Sequence, residues 1–289
     1  MRVLVTGAGG MLGLDVLRAG ERAGHELVGF TRTELDISDE LAVEQAFARV
    51  RPDAAINCAA WTDVDGAESE REQAHAANAD GAANLARASA ASHARLLHVS
   101  TDYVFGGDAP RDGAGEPRAY LESDPTAPRT VYGETKLEGE HRVLAASAGH
   151  TVVRSAWLFG TGGRNFAATM ITLAAERDSV KVVSDQVGCP TWTGHLAPAL
   201  IGLLERQVAG VVHLAGAGHV SWNGFAVEIF RQADVRCTVL DASTAEMALP
   251  ARRPAWSALE SERDDVLPLP PWQDGLAGYL AARAGMMRV

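Results

Sequence analysis

Cysteine is scarce in this chain. Cys58, Cys189 and Cys237 are the three present, far apart and odd in number, with no CxxC pair. Neither a disulfide framework nor a zinc site is indicated, and buried or incidental thiols in a reducing compartment are the simpler reading. Basic residues are short as well: 26 Lys and Arg stand against 37 Asp and Glu, a formal net charge of −11. Such a balance suits nucleic-acid phosphates poorly. It still permits an anionic small molecule, because a local cationic or N–H-lined pocket can operate inside an acidic protein. No run of about eighteen apolar residues is present, so no membrane span is expected. Internal repeats and low-complexity linkers are absent too. The N-terminus opens on a strand-like run instead of the charged, apolar and cleavage regions of a signal peptide, so a soluble cytoplasmic protein is expected.

What is present reads as an α/β chain. Hydrophobic residues make up 47% and charged residues 22% of 289, enough for a sizeable core in one large domain or two smaller ones. Arg2-Val3-Leu4-Val5-Thr6 is a buried-strand run, followed by Gly7-Ala8-Gly9-Gly10-Met11-Leu12-Gly13 and a helical pattern to Ala23. Glycines at 7, 10 and 13 in a strand–turn–helix setting suit a pyrophosphate: the turn is tight, the backbone is accessible, and the helix start presents N–H groups. Glu26 to Thr31 reads as the second strand. Beyond it, Arg32 suits the 2′-phosphate of NADP, whereas Glu34 suits the ribose hydroxyls of NAD, so the two point opposite ways. Asp39 or Ser38 is placed to cap a helix starting near Glu40.

The strand expected over 53–60 ends in Ala59 and Ala60, small residues that let a cofactor lie close. Asp65 to Ser92 reads as one alanine-rich helical stretch carrying Asn78, and Arg95 to Val99 as a fourth strand delivering Ser100 and Thr101 to the same rim. Gly106 to Arg129 is a long loop rich in Gly, Pro and Asp. Thr130 to Ala146 is a helix bearing Tyr132 and Lys136, four residues apart and so on one face. A phenol has an unperturbed pKa near ~10, and a fixed positive charge beside it would lower that value toward neutrality. Thr151 to Ser155 is a fifth strand. Beyond it lie expected helices over 165–177, 195–206, 221–232 and 273–283, and strands over 180–184 and 210–214. The expected architecture is a doubly wound Rossmann parallel sheet over 1–155. A smaller α/β substrate-binding lobe over 156–289 follows, interleaved in part with the sheet.

Taken together, the strand-borne glycines, the Ser100-Thr101 pair and the Tyr132/Lys136 spacing resemble an extended short-chain dehydrogenase/reductase. More narrowly, the chain resembles the dTDP-4-dehydrorhamnose reductases. The matching stretches include Ser100 to Phe105, Tyr132 to Glu140, Arg154 to Gly160, Asp185 to Thr193, Ser221-Trp222 with Phe225-Ala226, and Arg253-Pro254 with Ser257 and Leu259. The resemblance implies Thr101, Tyr132 and Lys136 as catalytic residues. It implies Gly7, Gly10, Met11, Leu12 and Gly13 at the pyrophosphate, Asp36 and Ile37 near the adenine, and Ala59 and Ala60 along the cofactor. Thr62, Val64, Tyr103 and Trp157 match substrate-contacting positions, and Arg253 suits a nucleotide diphosphate.

The implied activity is reduction of the C4 keto group of dTDP-4-dehydro-L-rhamnose to dTDP-L-rhamnose, with NADPH or NADH. Two other readings stand beside it: a reductase of another nucleotide-linked 4-keto-6-deoxysugar, and a non-catalytic regulatory subunit. The family further implies a homodimer, and magnesium in some members. No ligand cluster for that metal is evident, although Glu68 and its neighbours are acidic. Two departures stand out, an extra stretch around Arg111 to Pro117, and Trp61 where the family has tyrosine or histidine.

Overall fold

The computed structural model describes residues 1–286. The strands are β1 Arg2–Thr6, β2 Glu26–Phe30, β3 Ala54–Asn57, β4 Arg95–Thr101, β5 Thr151–Ser155, β6 Leu158–Phe159, β7 Ser179–Val183, β8 Val187–Gly188, β9 Thr191–Trp192, β10 Gly210–His213, β11 Val220–Ser221 and β12 Thr238–Ala242. The α-helices are α1 Met11–Arg22, α2 Glu40–Val50, α3 Val64–Ser69, α4 Arg71–His75, α5 Gly81–Ala91, α6 Val131–Ala146, α7 Phe166–Ala174, α8 Thr193–Glu205, α9 Trp222–Gln232, α10 Thr244–Met247 and α11 Trp272–Met286.

The main sheet is six-stranded and parallel, in the order β10-β5-β4-β3-β1-β2. The chain leaves β1 toward β2 and then crosses to the other side for β3, so the topological switch lies between β1 and β3. Ligands of open α/β sheets bind outside the strand ends at that point. Successive strand residues face opposite sides. Val3 and Val5 join one core with Leu12 and Val16 of α1 and the leucines of α8. Leu4, between them, joins the other core with Phe47, Leu85 and Val143 from α2, α5 and α6. Burial on both faces explains why these strands read as continuous apolar runs.

The second half does not stay apart from this sheet. β10 pairs with β5 at its edge, and α8 packs in the same core as α1. A separate apolar cluster gathers Phe159, Phe225, Ile229, Trp272 and Tyr279 beside the parallel β7–β12 pair. β12 and α10 are elements that periodicity does not announce. β12 lies on a two-stranded sheet with an exposed pattern, and α10 is one turn closed by a capping box between Ser243 and Glu246.

The stretch over 65–92 is not one helix. It is α3, α4, a π-helical turn over Ala76–Asp80, and α5. Glu70 leaves helical geometry at φ −114° and ψ 45°. The π turn carries buried Asn78, whose side chain accepts from Trp61 N at 2.8 Å and donates to Trp61 O at 3.2 Å and Thr135 Oγ1 at 3.1 Å. Satisfying that buried amide organises the wide turn, a partner-dependent feature that an alanine-rich sequence does not display. Gly139 of α6 faces it so closely that a Cβ there would overlap the Asn78 carbonyl oxygen.

Candidate active site and cofactor cleft

The glycine turn follows from backbone geometry. Gly7 has φ +68°, a left-handed conformation, and a Cβ there would sit 2.7 Å from the Cys58 and Ala59 backbone. A Cβ on Gly13 would overlap the Gly7 carbonyl oxygen. Gly10 is the N-cap of α1 and supplies no capping side chain, so the first N–H groups of the helix are left for an anion. Leu12 contributes only its backbone here, since its side chain is in the core.

Above this turn lies a cavity of about 450 Å³. Gly7, Gly10, Arg32, Asp36, Ile37, Ala59 and Ala60, expected at the cofactor, line it, together with Thr62, expected at the substrate. Gly9, Thr31, Cys58, Trp61 and Gln73 also line it and were not anticipated. Gly9, Thr31 and Cys58 belong to the glycine turn and to expected strand ends, whereas Gln73 comes from α4, which no local pattern marks. The residues present fit a dinucleotide: a backbone-lined anion site, small strand ends, and an exposed arginine. Arg32 and Glu34 differ in what holds them. Glu34 turns back on its own loop, accepting from Thr31 N at 2.9 Å and Thr31 Oγ1 at 2.8 Å, which lowers its pKa. Arg32 remains at the cavity wall.

Thr101, Tyr132 and Lys136, the positions expected to be catalytic, do not line this cavity. Cys58 joins the two regions, because it lines the cavity and also senses the charge of Lys136. Thr130 caps α6 by accepting from Gly133 N at 3.0 Å, and Glu68 accepts from Val131 N at 3.0 Å. Glu68, considered for magnesium, is thus held at a helix start. Among the described residues no group of three or more His, Cys, Asp or Glu side chains is placed to hold a metal ion.

Tyr132 packs edge-on against Tyr103, with ring centroids 5.6 Å apart. Tyr132 keeps partial exposure, yet the protein around it pushes its phenol up to about 12; burial dominates, and the Thr101 hydroxyl acts the other way. The lowering expected from Lys136 is therefore not found. Lys136 is turned aside: its Nζ donates to the Val99 carbonyl at 2.7 Å and lies 3.3 Å from His98 Nε2. Burial brings Lys136 down to about 8, with Glu140 opposing the shift.

Thr101 is buried. Its Oγ1 donates to Asp102 Oδ1 at 3.1 Å and accepts from Tyr103 N at 3.2 Å. Asp102 is 2% exposed and its Oδ2 finds no partner within hydrogen-bonding distance. Burial pushes this carboxyl up to about 6, although the nearby Ser257 and Thr101 hydroxyls offset part of the effect. Ser100 points elsewhere, donating to Glu140 Oε1 at 2.5 Å. Glu140 in turn holds Arg154 through Nη2–Oε2 at 2.7 Å and Nε–Oε1 at 3.1 Å.

The residues expected at the substrate are more dispersed. Val64 begins α3 and Thr62 lies in the loop before it. Trp157 has φ +47°, and its ring stacks on Trp222 with centroids 3.5 Å apart and planes 3° from parallel. That stacking covers one ring face, and the sequence match at Ser221-Trp222 was its only signal. Arg253 is occupied by Asp65, with Nη2–Oδ2 at 2.6 Å and Nη1–Oδ1 at 3.0 Å. The extra stretch at 111–117 closes on itself through an Arg111–Pro117 bridge and the Asp112 carboxylate, which accepts from Ala114 N and Glu116 N.

The chain is similar to known proteins over nearly its whole length. A 45% identical relative, the dTDP-4-dehydrorhamnose reductase of Mycobacterium tuberculosis, aligns over 98% of this chain and 93% of its own length. The dTDP-4-dehydrorhamnose reductase of Streptomyces griseus is 43% identical over 98% of this chain and 94% of its own. Among solved structures, dTDP-4-dehydrorhamnose reductase from Bacillus anthracis in complex with NADP superposes with a TM-score of 0.92 at 37% identity, covering 97% of this chain and 99% of that one. The model of the RmlD substrate binding domain matches residues 1–284. With a doubly wound sheet, a glycine turn at its switch point and relatives this close across nearly its whole length, the chain belongs to the RmlD substrate binding domain family of nucleotide-sugar oxidoreductases.

Proposed function

We propose that this chain reduces the C4 keto group of dTDP-4-dehydro-L-rhamnose to give dTDP-L-rhamnose, using NADPH. The observation that carries the reading is that Cys58, in the wall of a cleft that fits a dinucleotide, lies near Lys136, while Thr101 and Tyr132 interact with each other. Arg32 at the cavity wall and Glu34 tied to Thr31 favour NADPH over NADH.

When bound, the cofactor supplies the hydride to the sugar carbonyl carbon. Tyr132 donates its phenolic proton to the carbonyl oxygen as negative charge develops there. A phenol held near 12 stays protonated at neutral pH and is a competent donor to an alkoxide. Thr101 aligns the phenol, and Lys136 carries the positive charge that stabilises the phenolate once it turns toward the cofactor. Tyr103 and Trp157 border the sugar, and Thr62 and Val64 lie along its path. Arg253 exchanges its Asp65 partner for the nucleotide diphosphate. The lobe over 156–289 supplies most of the sugar side. A cytoplasmic location and a homodimer complete the proposal.

A second reading changes the sugar and keeps the chemistry. A relative from Streptomyces niveus, 42% identical over 80% of this chain, is a dTDP-4-keto-6-deoxy-D-glucose reductase. Purified protein given dTDP-4-dehydro-L-rhamnose generated in situ, with NADPH and NADH in separate reactions, decides between them. Sugar-dependent loss of nicotinamide absorbance and an L-rhamnose product by NMR support the main reading. A different C4 epimer supports the second. In the same assay Tyr132→Phe is expected to lower kcat by about 10²–10⁴-fold while NADPH still binds; unchanged turnover removes Tyr132 from the acid role.

A further inference from the structure

A buried polar chain crosses the sheet below the cofactor cleft and ends on Lys136. It starts at Asn57, the last residue of β3, which is 1% exposed. Asn57 Oδ1 accepts from the Ala59 backbone N–H at 3.0 Å and from the Thr6 hydroxyl at 2.7 Å. A backbone amide can only donate, so the side of Asn57 facing Ala59 is its oxygen and the other side is its NH2. That NH2 stands 2.9 Å from His98 Nδ1. An amide nitrogen has protons to give and no lone pair to offer, so Nδ1 must accept. His98 is itself 1% exposed, and burial holds it well below its ordinary pKa and so neutral. A neutral imidazole with a bare Nδ1 carries its proton on Nε2, the atom 3.3 Å from Lys136 Nζ.

This decides which form of Lys136 the contact favours. An ammonium has three protons and no lone pair, so it would meet the Nε2–H donor to donor. An amine can accept from Nε2–H and still donate to the Val99 carbonyl. We propose that His98 is a positioning residue: locked by Asn57 in the Nε2–H tautomer, it donates to the amine form of Lys136 and so favours that form over the ammonium.

Other groups face the same nitrogen. Burial opposes the ammonium, and Glu140, one turn further along α6, favours it. Cys58 is a neutral thiol, pushed up to about 12 by burial. Tyr132 stands one turn earlier on α6 and is also neutral. The net effect is a lysine brought down to about 8 by its surroundings, the direction the tautomer argument requires. The consequence rests on the role proposed above for Lys136. If the ammonium serves the anionic cofactor, then above the range in which Lys136 titrates NADPH binding draws a proton from solvent, and affinity falls by up to about tenfold per pH unit.

The first test needs neither turnover nor a variant. Long-range ¹H–¹⁵N spectra of the cofactor-free protein, labelled at histidine, are expected to show His98 protonated at Nε2; a proton at Nδ1 overturns the proposal. The second test is Asn57→Asp, nearly isosteric, which keeps acceptors for Ala59 and Thr6 but presents oxygen to Nδ1. It is expected to move the His98 proton to Nδ1 and turn a lone pair toward Lys136. The falling limb of NADPH affinity against pH, read by fluorescence of the bound cofactor, should then move up by about one pH unit or more. A limb that stays put, or moves without the tautomer changing, refutes control through His98. Failure of the reductase reading would appear differently, as absent keto-sugar turnover with both the tautomer and the pH limb as expected.

Discussion

The perturbation that tests the buried architecture most directly is Glu140→Gln. Arg154 and Glu140 have side chains 6% and 1% exposed, so neither charge is solvated by water. The carboxylate takes Nη2 at 2.7 Å, Nε at 3.1 Å to each oxygen, and the Ser100 hydroxyl at 2.5 Å. Glutamine keeps the shape but replaces one acceptor with an NH2 that faces the guanidinium, donor to donor. It also leaves the arginine charge buried without its counterion. Losing one member of a buried pair costs about 3–5 kcal/mol, well above the value of an exposed ion pair. Urea unfolding followed by circular dichroism should show that loss, and the Tm should fall by roughly 6 °C or more. The double variant Glu140→Leu, Arg154→Met removes both charges and should lie nearer the wild type than Glu140→Gln. A single-variant loss under about 1 kcal/mol, or a double variant less stable than the single one, would refute the reasoning. Because Glu140 also supports the charge on Lys136, Glu140→Gln should move the pH limb of NADPH affinity downward.

Two other outcomes follow from particular groups. Gly13→Ala would place a methyl group on the Gly7 carbonyl oxygen, so NADPH affinity measured by fluorescence titration should drop by tenfold or more, about 1.4 kcal/mol, and unchanged affinity would place the pyrophosphate elsewhere. Asp102 has a folded pKa raised from 3.8 to about 6, so between those values the folded state binds more protons than the unfolded one. Its contribution to stability falls as pH rises through that window and stays lost above it, by up to about 3 kcal/mol. Relative to Asp102→Asn, the wild type should therefore lose stability between pH 4 and pH 7, and a difference independent of pH in chemical denaturation would contradict the burial account.

Several features were legible without any structure because they depend on near neighbours. The β1 apolar run followed by glycines at 7, 10 and 13 defines a strand, a turn and an open helix start, since steric limits act within a few residues. The same holds for α6, where the four-residue spacing of Tyr132 and Lys136 sets their common face. The parallel sheet was legible too, from apolar runs alternating with helical periods. Tertiary structure decided the rest. The break over 65–92 depends on Asn78 meeting Trp61 and Thr135, residues 17 and 57 positions away. The stacking of Trp157 on Trp222, the capture of Arg253 by Asp65, and the direction of Lys136 toward Val99 each join distant segments. Sequence by itself determined which chemical groups are present and their local spacing. Which lone pair meets which proton, and which charge is stripped of water, was settled only when folding brought β1, β3, β4 and α6 together in a low-dielectric interior.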